Sequence, residues 1–90
     1  NQISDISPLV SLTNLVHLDL GSNQISDISP LASLTKLRDL YLDQNQIREI
    51  GPLASLINLK RLSLYGNPLY SKSADTYIPE FVSRGVDVSI

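Results

Sequence analysis

Residues 1–22, NQISDISPLVSLTNLVHLDLGS, are followed by NQISDISPLASLTKLRDLYLDQ, and fifteen of the twenty-two positions are identical. A third copy, NQIREIGPLASLINLKRLSLYG, keeps twelve of the second copy's letters. Nothing else in the chain constrains its fold as strongly. A unit this short cannot cover its own apolar side chains, so copies must stack and share one continuous core. The retained letters are the framework: Asn1, Asn23, Asn45 and Asn67; Ile3, Ile25 and Ile47, with Leu69 fourth; Pro8, Pro30 and Pro52. Leu9, Leu12, Leu15, Leu18 and Leu20 also recur.

Within a copy the apolar period changes. The Leu18-x-Leu20 alternation reads as a short strand, and LRDLYL and LKRLSL repeat it. Asn then ends the strand, because its amide can bond backbone groups of an inward turn. In SPLVSL, Ser7 is expected to cap, Pro8 suits a first helical position, and the Leu9–Leu12 spacing fits a 3₁₀ or short α turn. Asp5, Asp27 and Glu49 are acidic in every copy and are expected to accept backbone hydrogen bonds beside that turn. Strand, turn, helical turn and return set successive strands parallel. The expected division is repeats 1–22, 23–44 and 45–66 with a closing unit 67–90.

The closing unit departs from the pattern, as a terminal unit should. Ser73 is expected to cap a helix from Ala74, with Tyr77, Ile78, Phe81 and Val82 on its inner face. Pro79 is expected to kink or divide that helix, and Gly85 to stop it. Tyr70, Tyr77 and Phe81 are expected to plug the core, and VDVSI to add a last strand two residues late.

The framework LxxLxLxxNxI followed by DIxPLxxL resembles the 22-residue leucine-rich repeat of bacterial internalin-like arrays, in register over residues 1–69. NPLYSKSADTYIPEFVSRGVDVSI is similar to the closing unit of such arrays. The resemblance implies an α/β repeat solenoid: a curved right-handed coil with a short parallel concave sheet, convex 3₁₀ or short helical turns and a C-terminal capping helix. It also implies a bacterial, secreted or cell-surface protein. No capping unit precedes the first copy, and the chain starts without Met on the first letter of a repeat, so it is expected to be the C-terminal part of a longer array.

Composition bounds the function. Net charge is −2, so no overall basic field favours nucleic acid or anionic membrane. No apolar run approaches the length of a membrane span, and the N-terminus does not resemble a signal peptide. The absence of Cys excludes disulfides and thiolate metal sites.

The first two copies differ at positions 10, 14, 16, 17, 19, 21 and 22, mostly in or beside the strand. Residues flanking inward leucines point to the opposite face. Three columns should therefore cross the concave sheet: His17, Asp39, Arg61; Asp19, Tyr41, Ser63, continued by Asp87; and Gly21, Asp43, Tyr65. These positions are either solvated and free to drift or specialised for a partner. Tyrosine among carboxylates makes an amphipathic platform, which favours protein recognition.

His17, Asp39 and Ser63 supply the letters of a hydrolase triad, but Ser63 is expected two strands from His17, roughly 10 Å away, with no sharp turn to expose it. His17, Asp19 and Asp39 could face a metal, yet such groups on an open sheet are usually solvated. No enzyme, cofactor or metal is expected. The leading function is protein recognition through His17, Asp19, Asp39, Tyr41, Asp43, Arg61, Ser63 and Tyr65. The alternatives are a structural or terminal segment of a longer array, or a minimal repeat piece that self-associates. For the last, Ile3, Ile6, Leu9, Leu18 and Leu20 would form a bare apolar end, to be covered by upstream repeats or a second copy.

Overall fold

The alternation of inward leucines yields four three-residue strands: β1 (His17–Asp19), β2 (Asp39–Tyr41), β3 (Arg61–Ser63) and β4 (Asp87–Ser89). The computed structural model describes residues 2–90; Asn1, the first rung of the expected asparagine ladder, lies outside them. All strands are parallel in the order β1-β2-β3-β4. Register follows the repeat: Leu18 pairs with Leu40 and Leu40 with Leu62. Segments Ser7–Ser11, Ser29–Ser33 and Gly51–Ser55 form 3₁₀ turns on the convex side, each with Pro near its start. A 13-residue helix, α1 (Ser71–Ser83), packs against the third of these turns and against β4.

The chain leaves each inner strand through one left-handed residue at the same repeat position: Ser22 (φ 60°), Gln44 (φ 57°) and Gly66 (φ 75°). Only the last is a glycine, for which that conformation carries no steric penalty. The next residue is the ladder Asn. Asn45 is buried; its Oδ1 accepts the Ile25 N–H at 3.0 Å, and its Nδ2 donates to the Leu20 and Leu42 carbonyls, each at 3.0 Å. Asn23 accepts from Ile3, and Asn67 accepts from Ile47 and donates to Leu42 and Leu64. One side chain thus bonds its own turn and the preceding copy.

The convex side has its own ladder. Ser33 Oγ donates to the Val10 carbonyl and Ser55 Oγ to the Ala32 carbonyl, both at 3.0 Å. Each 3₁₀ turn is capped by a carboxylate. The Ser7, Ser29 and Gly51 N–H groups donate to Asp5, Asp27 and Glu49 at 2.9, 3.0 and 2.9 Å. Those bonds bear out the role expected of the acidic positions. Ser7 does not hold the boundary position, which is Ile6; its backbone N–H and then its side chain bond Asp5. In the third copy Gly51 keeps the backbone bond and the Ser73 hydroxyl supplies the side-chain one to Glu49.

The core fills as the period requires. Ile25, Leu31, Leu34, Leu37 and Leu40 are fully buried between flanking copies, and each such side chain contributes about 1.5–3 kcal/mol relative to exposure. In the first copy, Ile3 and Leu12 are each 47% exposed, and Leu9, Leu15 and Leu18 are partly exposed. Ile6 (3%) and Leu20 (8%) are buried, correcting their expected place on the bare end. They project along the stack into the shared core instead of outward.

The closing unit is where the structure departs most from expectation. Helix α1 begins at Ser71, earlier than expected, with Tyr70 as its boundary residue and no side-chain cap. Ser73 is instead buried: its hydroxyl accepts the Ile50 N–H at 3.0 Å and donates to Glu49 Oε1 at 2.8 Å. Pro79 does not divide the helix. Phe81 is buried, and Tyr77 and Ile78 are half-buried. Val82 (59% exposed) faces away, so the inner face runs through Ser73, Tyr77 and Phe81 at four-residue steps. Tyr70 is 54% exposed and lies under the Arg48 guanidinium, 5.9 Å from the ring centre, so it does not plug the core. Gly85 (φ 86°) does stop the helix: Val86 N–H bonds the Phe81 carbonyl and Gly85 N–H the Val82 carbonyl, each at 3.0 Å, in a Schellman arrangement.

Candidate functional site

The concave face is built by the residues between the inward leucines. Pairing sets His17 beside Asp39, Asp39 beside Arg61 and Arg61 beside Asp87. The second column is Asp19, Tyr41, Ser63 and Ser89. Asp87 therefore continues the first column and not the second. The closing unit adds four residues to the 22-residue step, since Arg61 pairs with Asp87; an addition of two would have paired Ser63 with Asp87. The third column holds Gly21, Asp43 and Tyr65, tied by Ser22 N–H to the Asp43 carbonyl and Gln44 N–H to the Tyr65 carbonyl.

His17 is exposed, and its Nδ1 meets the carboxylate of half-buried Asp39. Arg61 and Asp19 are exposed, Tyr41 and Asp43 are half-buried, and Tyr65 is 45% exposed. Asp19 accepts the Gly21 N–H at 3.0 Å, which orders it at the rim. Ser63 is buried, 9% exposed, and its hydroxyl points to Asp43 Oδ1 at 3.4 Å. It is thus a floor residue that offers a partner little surface, and with Tyr41, Arg61 and Asp87 it lines a dent of about 110 Å³. His17 and Asp39 touch, but Ser63 is engaged by the third column, so the three triad letters are not brought together. Among the described residues no group of three His, Cys, Asp or Glu side chains is placed to hold a metal ion.

Sequence reasoning misses one part of the face. Arg38 and Lys60 precede β2 and β3, and with Val16, His17, Asp39 and Arg61 they line a hollow of about 280 Å³. Strict alternation from Leu18 would turn position 16 and its equivalents inward. The strands begin only at His17, Asp39 and Arg61, so the preceding residues escape the alternation and are exposed. The available signal is cationic: Arg in one copy and Lys in the next.

A larger hollow of about 830 Å³ lies on the flank between α1 and the Glu49–Gly51 segment, lined by Tyr70, Lys72, Thr76 and Tyr77. Its carboxylate is already committed. Glu49 is held below its ordinary value of 4.5 by the Ser73 hydroxyl and then by the Gly51 N–H. Asp5 and Asp27 are lowered from 3.8 chiefly by the Ser7 and Ser29 N–H groups. All three carboxylates are capping groups.

A parallel stack with one inward asparagine per turn and a non-repeating helix at its end defines a class: the leucine-rich-repeat solenoids. The model of the family Leucine Rich repeats (2 copies) matches residues 1–33 and 35–75. The chain belongs to the leucine-rich-repeat family, and its repeats are of the bacterial internalin-like kind. It is similar to an internalin (inlF) from Listeria monocytogenes, at 36% identity and TM-score 0.85 over 99% of this chain and 25% of that one. It is similar to internalin C2 of the same species, at 42% identity and TM-score 0.80 over 100% of this chain and 37% of that one. A leucine-rich-repeat protein from Leptospira interrogans aligns at 27% identity and TM-score 0.84 over 100% of this chain and 23% of that one. No curated protein matches the chain. The chain thus spans between 23% and 37% of the length of these solved relatives. Solenoids of this class present extended concave surfaces for binding other proteins.

Proposed function

We propose that the chain is a non-enzymatic protein-recognition module, acting through its concave face in a secreted or cell-surface setting. The observation that carries the reading is the placement of Tyr41 and Tyr65 on the concave columns, with Asp19 and Asp43 beside them and neither ring committed to the core. Large amphipathic side chains at the centre of a surface are the usual anchors of protein interfaces. Peptides selected from a random library on the immobilised chain provide the test. Tyr41→Ala or Tyr65→Ala is expected to weaken the selected binders by about 1 kcal/mol or more, roughly fivefold. Binders that ignore both changes and respond to convex Lys36→Ala or Asn58→Ala would overturn the concave reading.

The exposed end of the stack supports a second reading, self-association. Ile3 and Leu12 are each 47% exposed, whereas their equivalents Ile25 and Leu34 are fully buried. Beside them, the outer edge of β1 pairs with no strand among the described residues. Apolar surface next to an open strand edge is rarely left to water. Further repeats ahead of this segment would cover Ile3, Leu9 and Leu18; in the 90-residue piece on its own a second copy placed end to end would do so, in a closed two-fold dimer. Light scattering over a concentration series is expected to show the dimer, and Leu12→Lys to return it to monomer. A strictly monomeric wild-type chain at high concentration would remove this reading.

A further inference from the structure

The concave face is electrically divided along its strands. Arg38, Lys60 and Arg61 stand at the edge where the strands begin, whereas Asp19 and Asp43 stand where they end, roughly 10 Å further along. Neighbouring strands lie about 4.8 Å apart, so Arg38 and Lys60 are like charges side by side, an arrangement that costs stability in the free protein. Among the described residues none of these three cations forms an ion pair. Two carboxylates share this edge: Asp39, engaged by His17, and Asp87, which pairs in strand register with Arg61 across β3 and β4. In a chain of net charge −2, Arg38 and Lys60 still leave this edge with more positive than negative charge.

Resting on the concave-face reading, we propose that the hollow lined by Val16, His17, Arg38, Asp39, Lys60 and Arg61 receives a glutamate- or aspartate-bearing segment of a protein partner. Its volume of about 280 Å³ admits one or two side chains. Val16, 38% exposed, supplies an apolar wall for the methylene of an acidic side chain. The guanidinium groups of Arg38 and Arg61 offer paired donors that match a carboxylate, with Lys60 between them in sequence. Asp39 on the floor works against a dense polyanion such as a phosphate chain and tolerates a single carboxylate. Binding would relieve the repulsion between Arg38 and Lys60 that the free face carries.

The test is amide chemical-shift mapping on the isotope-labelled chain, titrated with an acetylated and amidated six-glutamate peptide at low and moderate salt. Shifts are expected to concentrate at residues 16–18, 38–40 and 60–62. The affinity is expected to fall with added salt. Arg38→Ala and Lys60→Ala should each weaken the peptide by about fivefold or more, while Lys36→Ala on the convex side leaves it unchanged. Uniform shifts around every cation, or equal binding by the two concave variants and wild type, would overturn the proposal. So would tighter binding of a six-thymidine DNA strand at the same hollow. A glutamate peptide that fails to bind, while library binders still depend on Tyr41 and Tyr65, would remove the acidic occupant and leave concave recognition standing. A peptide that maps to the hollow, with library binders indifferent to the tyrosines, would support the hollow and remove the tyrosine anchors.

Discussion

Phe81→Ala is expected to lower the unfolding free energy by about 3–5 kcal/mol, the usual cost of removing a fully buried phenyl ring. Phe81 is 1% exposed and is the only large α1 side chain wholly inside the core. Its carbonyl also accepts the Val86 N–H that closes the helix and turns the chain into β4. Alanine keeps that carbonyl, so the cost comes from the emptied core beneath the helix end that leads into β4. Domains of this size hold only about 5–15 kcal/mol of net stability, so the variant should sit close to its unfolding transition. Urea denaturation followed by far-ultraviolet circular dichroism measures the change. Val82→Ala, one residue on but 59% exposed, is the comparison and should stay within about 0.5 kcal/mol of wild type. Equal midpoints for the two variants would show that α1 is not a plug on the core.

Asn45→Ala is expected to cost about 1–3 kcal/mol, because truncation leaves the buried Ile25 N–H without its acceptor and takes one of two amide donors from each of the Leu20 and Leu42 carbonyls. Water cannot easily replace the amide, since the flanking isoleucines and leucines are fully buried. Gln46→Ala, on the exposed neighbour, should leave the denaturation midpoint where it was. Hydrogen exchange adds a local readout. The Ile25 amide should exchange faster in Asn45→Ala than in Gln46→Ala. Unchanged protection at Ile25 would mean that the ladder bond contributes nothing to holding the copies together.

Most of this architecture is legible in the repeat itself. Leu18, Leu40 and Leu62 stand in register because three copies of one length allow no other pairing that keeps every leucine inward. The column His17, Asp39, Arg61 follows from the same reasoning, as does the inward role of Asn45. Legibility fails where periodicity ends. Asp87 falls in a different column from the expected one because the period says nothing about how many residues α1 needs to cross the end of the core. Ser73 reads as a cap because Ser often caps; its actual partner, Glu49, belongs to another copy and is invisible to local reading. Ser63 faces the concave side as expected, but direction does not fix exposure, and a short side chain between Tyr41 and the third-column Asp43 is 9% exposed. Arg38 and Lys60 escape a reading that extends the alternation one residue before the strand begins.

The asparagine rung also bears on how such a chain can change over generations. Asn23 grips Ile3 as Asn45 grips Ile25 and Asn67 grips Ile47, so every joint in the stack is made of the same parts. Loss or duplication of residues 23–44 as a block would leave each remaining joint with the partner it needs. The concave face would not be conserved by such an event. Deletion would set His17 directly against Arg61 and take Tyr41 out of the surface, while duplication would present both Asp39 and Tyr41 twice. A slip of one residue ahead of Asn45 would bring Gln44 or Gln46 to the inward asparagine position and move the leucines that follow out of register. Recombination in this chain is therefore quantised: the spine accepts whole units only, and each accepted unit redraws what the surface can hold.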